Sequence, residues 1–413
     1  ARDTGVHAWD YLLHLQRVNA ALAADDLASA RASLATAARA VDASRPLNLT
    51  VLEHERGLVA LRAGEIDAAR ECARVTERLG AGSGLPFAVL IARLKLVLAA
   101  TLGGAADARA ELDRTRDVER RRRSSLADLV CELCEADLSL RAGDEEAARQ
   151  HVARGLRVVR EKGVAPDVWF SREQLAHLCA VALDGGGEAE CARALVRRLG
   201  LAAPAASAHL DAWPWPARVR LLGVLEAEVD DRRLRFRGRS QRRPLEVLGA
   251  IAAFGGEGVA EHAVEDALWP DSEGAHHALE TSLYRLRRML GGAIVAHRDR
   301  LLTLDRQRCW VDTIAFEAAL ACVSSKLERR DLAGALRAAE RAVSVYRGPF
   351  LADSDEPWVL SARSRLRRRW QRAVADLASH GVEPGRLHDL CARAMTLDPA
   401  LDAALFGGSN VAV

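Results

Sequence analysis

Gly274-Ala-His-His-Ala-Leu-Glu-Thr-Ser-Leu-Tyr-Arg-Leu-Arg-Arg-Met-Leu-Gly291 is the stretch whose reading decides the fold. Leu279, Leu283, Leu286 and Leu290 recur at helical spacing. At about 100° per residue they share one side of a helix. His277, Thr281, Tyr284, Arg285 and Arg288 fall on the opposite side. A helix that buries leucines and shows water a strip of donors and positive charge suits a nucleic-acid groove. The same pattern also suits an ordinary surface helix with a solvated polar face, so its neighbours have to decide.

Working outward, Val219 to Phe236 alternates with period two around Asp230-Asp231, which predicts a short antiparallel meander. Arg232 to Arg243 then holds seven arginines and no acid. A first helix is expected from Pro244 to Phe254, with proline at a permitted first-turn position and Leu245, Leu248 and Ile251 facing in. Gly255-Gly256 ends it. A second helix is expected from about Ala260 to Trp269, and Pro270-Asp-Ser-Glu-Gly274 is a loop before the third. Ile294 to Leu304 reads as a hairpin with an Arg298-Asp299-Arg300 tip, and Trp310-Val311 closes the unit. Strands, three helices and a basic-tipped hairpin are the winged helix-turn-helix plan.

Ahead of this unit the chain repeats itself. Leu22-Ala-Ala-Asp-Asp-Leu-Ala-Ser-Ala-Arg31, Leu61-Arg-Ala-Gly-Glu-Ile-Asp-Ala-Ala-Arg70 and Leu140-Arg-Ala-Gly-Asp-Glu-Glu-Ala-Ala-Arg149 are copies of one pattern. A weaker copy ends at Arg109 and a looser one at Arg193. A fixed period of this size marks a repeat architecture. Each copy reads as helix, tight turn, helix, with Gly or Asp for positive φ in the turn. The alanines that follow are small because two helices must approach there. Leu201 to Pro216 breaks the pattern with prolines at 204, 214 and 216 and is expected to be a linker. Its Trp213 and Trp215 are expected to pin one domain against the next. The run Arg120-Arg-Arg-Arg123 reads as a solvated loop between repeats or, alternatively, as a contact for an acidic partner.

Composition sets the bounds. The 413 residues are 49% hydrophobic and 28% charged, enough for two or three helical domains with a sizeable core. Only Lys95, Lys162 and Lys326 are lysine, a skew toward arginine that forbids reading each arginine as a phosphate contact. The net charge of +2 names no partner. The eight cysteines form no framework, and Cys131 and Cys134 share a helical face with no second pair at zinc spacing. They are expected to be small buried hydrophobes, and reduced thiols suit a cytoplasmic protein. Neither a span of 18 apolar residues nor a charged-then-apolar leader is present, so no membrane span or signal peptide is expected. Phosphate-loop, dinucleotide, H-E-x-x-H and G-x-S-x-G motifs are all missing, so no enzyme and no cofactor are expected. His276 and His277 diverge by about 100° on a helix and are not expected to chelate a metal together.

The repeats resemble tetratricopeptide repeats, most clearly at Gly57, Gly64 and Ala69, and more closely the elongated repeats of the sensor region of MalT-like regulators. That resemblance implies a groove for an unknown peptide, protein or small effector. Glu261 to Trp269, the Trp-Pro-Asp step, the Leu-Tyr-Arg-Leu-Arg-Arg-Met-Leu-Gly run and Cys309-Trp-Val-Asp312 resemble the OmpR-type DNA-binding domain of SARP-family activators. Phe316 to Tyr346, Gly348-Pro-Phe-Leu351, Glu356-Pro-Trp358 and Ala394-Met-Thr-Leu-Asp-Pro399 resemble the bacterial transcriptional activation domain that follows it in such proteins. The resemblance implies a recognition helix reading double-stranded DNA through His277, Thr281, Tyr284, Arg285 and Arg288. It also implies a wing reaching DNA through Arg298 and Arg300, and a loop with Asp271, Ser272 and Glu273 that meets RNA polymerase.

The expected architecture is therefore mainly α. A helical-hairpin, tetratricopeptide-like solenoid spans 1–200 and a linker spans 201–216. A winged helix-turn-helix domain with a short β-meander and β-hairpin wing spans 217–312, and a tetratricopeptide-like helical activation domain spans 313–413. Between Ala217 and Asp312 there are 16 arginines and 15 acids. DNA binding would thus need segregated charge, with Glu257, Glu261, Glu265 and Asp266 kept off the DNA side. Weak binding by one copy would be strengthened by a homodimer or tandem sites. The alternative function is a protein-binding repeat scaffold whose winged helix docks protein.

Overall fold

The computed structural model describes residues 10–42, 44–104, 106–119, 124–185, 187–236, 239–292 and 294–401. Arg120–Arg123 lie outside the described residues. The fold is mainly α, and the chain divides into two compact units, Ala1–Ala202 and Ala203–Val413.

The first unit is a row of helical hairpins. They pair α1 (Asp10–Ala23) with α2 (Leu27–Ala40), α3 (Pro46–Arg62) with α4 (Ile66–Gly82) and α5 (Pro86–Leu102) with α6 (Ala108–Glu119). The last two join α7 (Ser125–Arg141) to α8 (Glu145–Lys162) and α9 (Arg172–Leu183) to α10 (Ala189–Leu199). The repeat explains the turns. Asp25, Gly64, Gly104, Gly143 and Gly185 all have φ between 63° and 94°, the left-handed region that glycine enters at no steric cost. Shortly after each turn an alanine is sealed between the two helices: Ala30, Ala69, Ala108, Ala148 and Ala192. A larger side chain there would have no room. Carboxylates close several turns, since Asp26 accepts from Ser29 N and Asp144 from Ala147 N, both at 2.9 Å, satisfying amides that a helix start leaves open. Cys131 and Cys134 are buried in α7, and burial lifts the Cys134 thiol well above its usual range.

The second unit opens with the tryptophan segment. Trp213 and Trp215 are buried, and Trp215 Nε1 donates to Leu210 O at 2.7 Å. Their anchor is the first strand of the unit they introduce. Strand β1 (Ala217–Arg220) carries two buried arginines. Arg218 donates to Trp213 O and to Asp231, while Arg220 forks onto Asp211 and stacks 5.1 Å over Trp310. Strands β2 (Glu226–Val229) and β3 (Arg232–Arg233) continue the meander antiparallel, through Asp230 and Asp231 in positive φ.

Three helices follow. The first, α11, runs Arg239–Ala253 and so starts five residues earlier than expected, with Pro244 inside it. Proline forfeits the bond to the carbonyl four residues back and crowds that carbonyl, but with only five residues ahead of it the cost is confined to the start of the helix. Strand β4 (Val259–Ala260) leads into α12 (Glu261–Leu268), and then α13 (Ala275–Leu290). Strands β5 (Val295–Arg298) and β6 (Leu301–Leu304) form the expected hairpin, with β4 added to give a three-stranded sheet in the order β4-β6-β5. Strand β7 (Cys309–Val311) does more than close the unit: it pairs parallel with β1, giving the order β3-β2-β1-β7.

Beyond β7 come α14 (Asp312–Glu328), α15 (Leu332–Val345), α16 (Pro357–Ser379) and α17 (Pro384–Leu397). The α14–α15 turn repeats the logic of the first unit, with Arg330 at φ 58°, Asp331 capping Gly334 N, and Ala335 sealed. This helical part is welded to the meander. Asp312, fully buried, accepts from Leu221 N and Leu222 N, and Leu351 N donates to Leu221 O at 2.7 Å. Arg363 donates to the carbonyls of Phe350, Leu351 and Ser354, and Arg367 forks onto buried Asp398, so these arginines of α16 serve the fold. Among the described residues no helix is long and apolar enough to cross a membrane.

Candidate nucleic-acid interface

Helix α13 is placed by its leucines. Leu279, Leu283, Leu286 and Leu290 are buried, facing a core with Leu245, Leu248 and Ile251 of α11 and Val264 and Leu268 of α12. Gly291, at φ 81°, stops the helix in the left-handed conformation. Arg287 reaches sideways, its Nη2 3.4 Å from Val295 O, joining helix to hairpin.

The opposite strip faces outward. His277, Tyr284, Arg285 and Arg288 are exposed, and Thr281 is half-buried beside them. The Arg288 guanidinium lies 5.9 Å over the Tyr284 ring, so the tyrosine holds the arginine up from the helix. Arg285 and Arg288 line a cavity of about 510 Å³ together with Leu234, Arg235, Phe236, Pro244 and Met289. Three guanidiniums around an apolar floor present forked donors to an anion and a dry surface to whatever carries it. Arg235 was not singled out in the sequence. Only its place in an acid-free arginine run hinted at it.

The hairpin tip bends back on itself. Asp299 and Arg300 make the turn with φ of 51° and 58°, and Arg298 is exposed at the end of β5. Arg300 is not simply offered outward. Its carbonyl accepts from Glu261 N at 3.0 Å, and its Nε lies 3.2 Å from Glu261 Oε2. The structure places the four acids differently. Glu257 and Asp266 are exposed, but Glu261 is buried and Glu265 half-buried, and both lie against His276 in the first turn of α13. The bond to Glu265 and the charge of Glu261 hold the His276 imidazole above its ordinary pKa. The Glu261 and Glu265 carboxylates thus sit against the first turn of α13, and that of Glu261 also against the hairpin tip, because α12 and α13 cross there.

Asp271, Ser272 and Glu273 form an exposed loop between α12 and α13. It is short and shaped: Asp271 has φ 60°, Ser272 N donates to Trp269 O, and Ala275 N donates to Ser272 O. Arg243 braces its start, stacked 4.9 Å over Trp269.

In the first unit, a separate cavity of about 240 Å³ is lined by residues of α5, α7, α9 and the turn just before α9. Thr101, Asp137, Glu173, Gln174 and His177 bring polar side chains to it, and Leu98, Leu133, Phe170 and Leu178 an apolar wall.

Residues 311–401 match the family model of the bacterial transcriptional activator domain. The match begins in β7 and runs through α17. No curated protein matches the chain.

Proposed function

We propose that this chain is a DNA-binding transcriptional regulator that acts as an activator. The observation that carries the reading is the bacterial transcriptional activator domain at 311–401, built into the same compact unit as a helix with an exposed arginine strip. In this reading the strands, three helices and hairpin of 217–312 are an OmpR-type winged helix, and α13 enters the major groove. Arg285 and Arg288 fork to guanine O6 and N7 or to phosphate, His277, Thr281 and Tyr284 read neighbouring edges, and Arg298 follows the backbone. Arg300 contributes less, since Glu261 competes for its charge. Asp271, Ser272 and Glu273 are the surface offered to RNA polymerase. The helical repeats, resembling those of MalT-like regulators, sense a peptide, protein or small effector, and the cavity around Asp137 and His177 is where a small one fits. No catalytic activity is proposed, and the protein acts in the cytoplasm.

Binding to promoter fragments across a salt series tests this. Affinity should fall steeply with salt, because neutralising phosphates releases counterions. One observation favours a second reading, a repeat scaffold whose winged helix docks protein: the carboxylates of Glu261 and Glu265 lie against the first turn of α13. Failure to retain any fragment at any salt would leave that reading standing.

A further inference from the structure

The adjacent pair His276 and His277 cannot chelate together, yet the fold gives His276 other partners. Glu261 and Glu265 lie one turn apart on α12, and the first turn of α13 crosses them. His276 Nδ1 is 2.8 Å from Glu261 Oε1 and 3.2 Å from Glu265 Oε1. One ligand atom from each of the three lies within 4.8 Å of the others. Two donors bound at about 2.0–2.2 Å to one ion, at angles of about 90–110°, stand about 2.9–3.5 Å apart. The two spacings to His276 fall near that range.

A second observation is independent of this spacing. The Glu261 side chain is 1% exposed, and neither of its oxygens accepts a hydrogen bond. A carboxylate taken out of water needs a compensating cation. Of the two nearest, Arg300 is 76% exposed at a hairpin tip, and His276 is 56% exposed. Solvent screens both of these ion pairs, while the Glu261 carboxylate lies out of water. His297 Nε2 of β5 also points to this oxygen from 3.7 Å.

We propose that Glu261, Glu265 and His276 bind a divalent transition-metal ion of the Zn²⁺ class, with His297 in reach as a fourth ligand. Imidazole with carboxylates and no thiolate is a borderline-hard set that suits Zn²⁺ or Mn²⁺ and disfavours Cu⁺. The ion neutralises the buried carboxylate and fastens the start of α13 to α12 and, through His297, to the hairpin. The site does not depend on the DNA-binding reading.

The test uses the full chain, stripped with a chelator and dialysed, then titrated with Zn²⁺ in a calorimeter and with Co²⁺ by visible absorption. One ion per chain is expected, with a Co²⁺ spectrum free of thiolate charge transfer. His276→Ala and Glu265→Gln should each weaken binding roughly tenfold or more, while His262→Ala, on the exposed side of α12, should not. Glu265→Gln keeps size and shape, and circular dichroism confirms that the variants fold. No Zn²⁺ bound by the native chain, unchanged affinity in both cluster variants, or a thiolate band assigning the ion to cysteine would each overturn the proposal.

Discussion

Replacing Asp312 by alanine should loosen the second unit at one identifiable joint. Its carboxylate is fully buried and takes Leu221 N at 2.8 and 2.9 Å and Leu222 N at 2.8 Å. Those amides sit where β1 ends, β7 passes into α14, and the 350–351 segment crosses. Alanine leaves two buried donors without an acceptor, at roughly 1–3 kcal/mol each. Part of that is returned, because the native carboxylate is itself costly to bury. Burial pushes its pKa up to about 7, against the pull of the backbone amides and Arg220. A net loss of about 2–4 kcal/mol is therefore expected. The pH dependence has a definite sign. A carboxyl raised in the folded state favours folding fully below its ordinary value near 3.8, and that contribution fades as pH rises toward 7. The native chain should lose a component of stability between pH 4 and pH 7 that Asp312→Ala lacks. Urea unfolding followed by tryptophan fluorescence is weighted toward the right unit, since six of the eight tryptophans, Trp213, Trp215, Trp269, Trp310, Trp358 and Trp370, lie in it. A shift below about 0.5 kcal/mol at pH 5, within the range of ordinary surface substitutions, would refute the joint.

Arg285→Ala with Arg288→Ala should leave the circular dichroism spectrum unchanged, lower promoter affinity at least about tenfold and reduce the salt slope by about one to two; unchanged binding would remove these residues from the reading face. Ala69→Leu should destabilise the first unit by about 1–3 kcal/mol through overpacking between α3 and α4, seen as faster hydrogen exchange in both helices. Lys95 is buried and donates to His54 O and Thr76 Oγ1, and burial lowers its pKa to about 7. A base depressed in this way favours folding above its usual 10.5 and loses that contribution as pH falls toward 7. Lys95→Met should therefore leave stability at pH 7 unchanged or higher and remove that slope; a loss above about 2 kcal/mol in thermal unfolding would mean that the amine's hydrogen bonds outweigh its burial.

Much of the architecture was legible because it is written in local chemistry. The leucines of α13 were identified as core from spacing alone, since any helix turns about 100° per residue. The repeat betrayed its turns at Gly64, Gly104 and Gly143, and its sealed alanines at Ala69 and Ala148, because one conformation and one close approach recur at a fixed period. The hairpin tip at Arg298-Asp299-Arg300 followed from alternation. Pro244 misled at the start of α11 because a proline marks a helix's first turn often, and its second turn sometimes.

Other features have no local signature. Nothing in Cys309-Trp-Val311 says that this strand lies parallel to β1, some ninety residues earlier. Nothing in Asp312 says that its carboxylate closes the end of that strand. Nothing in Glu261 or Glu265 says that the crossing of α12 and α13 brings both against His276, and Glu261 also against Arg300. By itself, then, the sequence determined which faces of α13 and of the repeats turn inward, because periodicity records what avoids water. Only the tertiary structure decided what each face meets, because that depends on how helices cross and strands pair between residues that are distant along the chain.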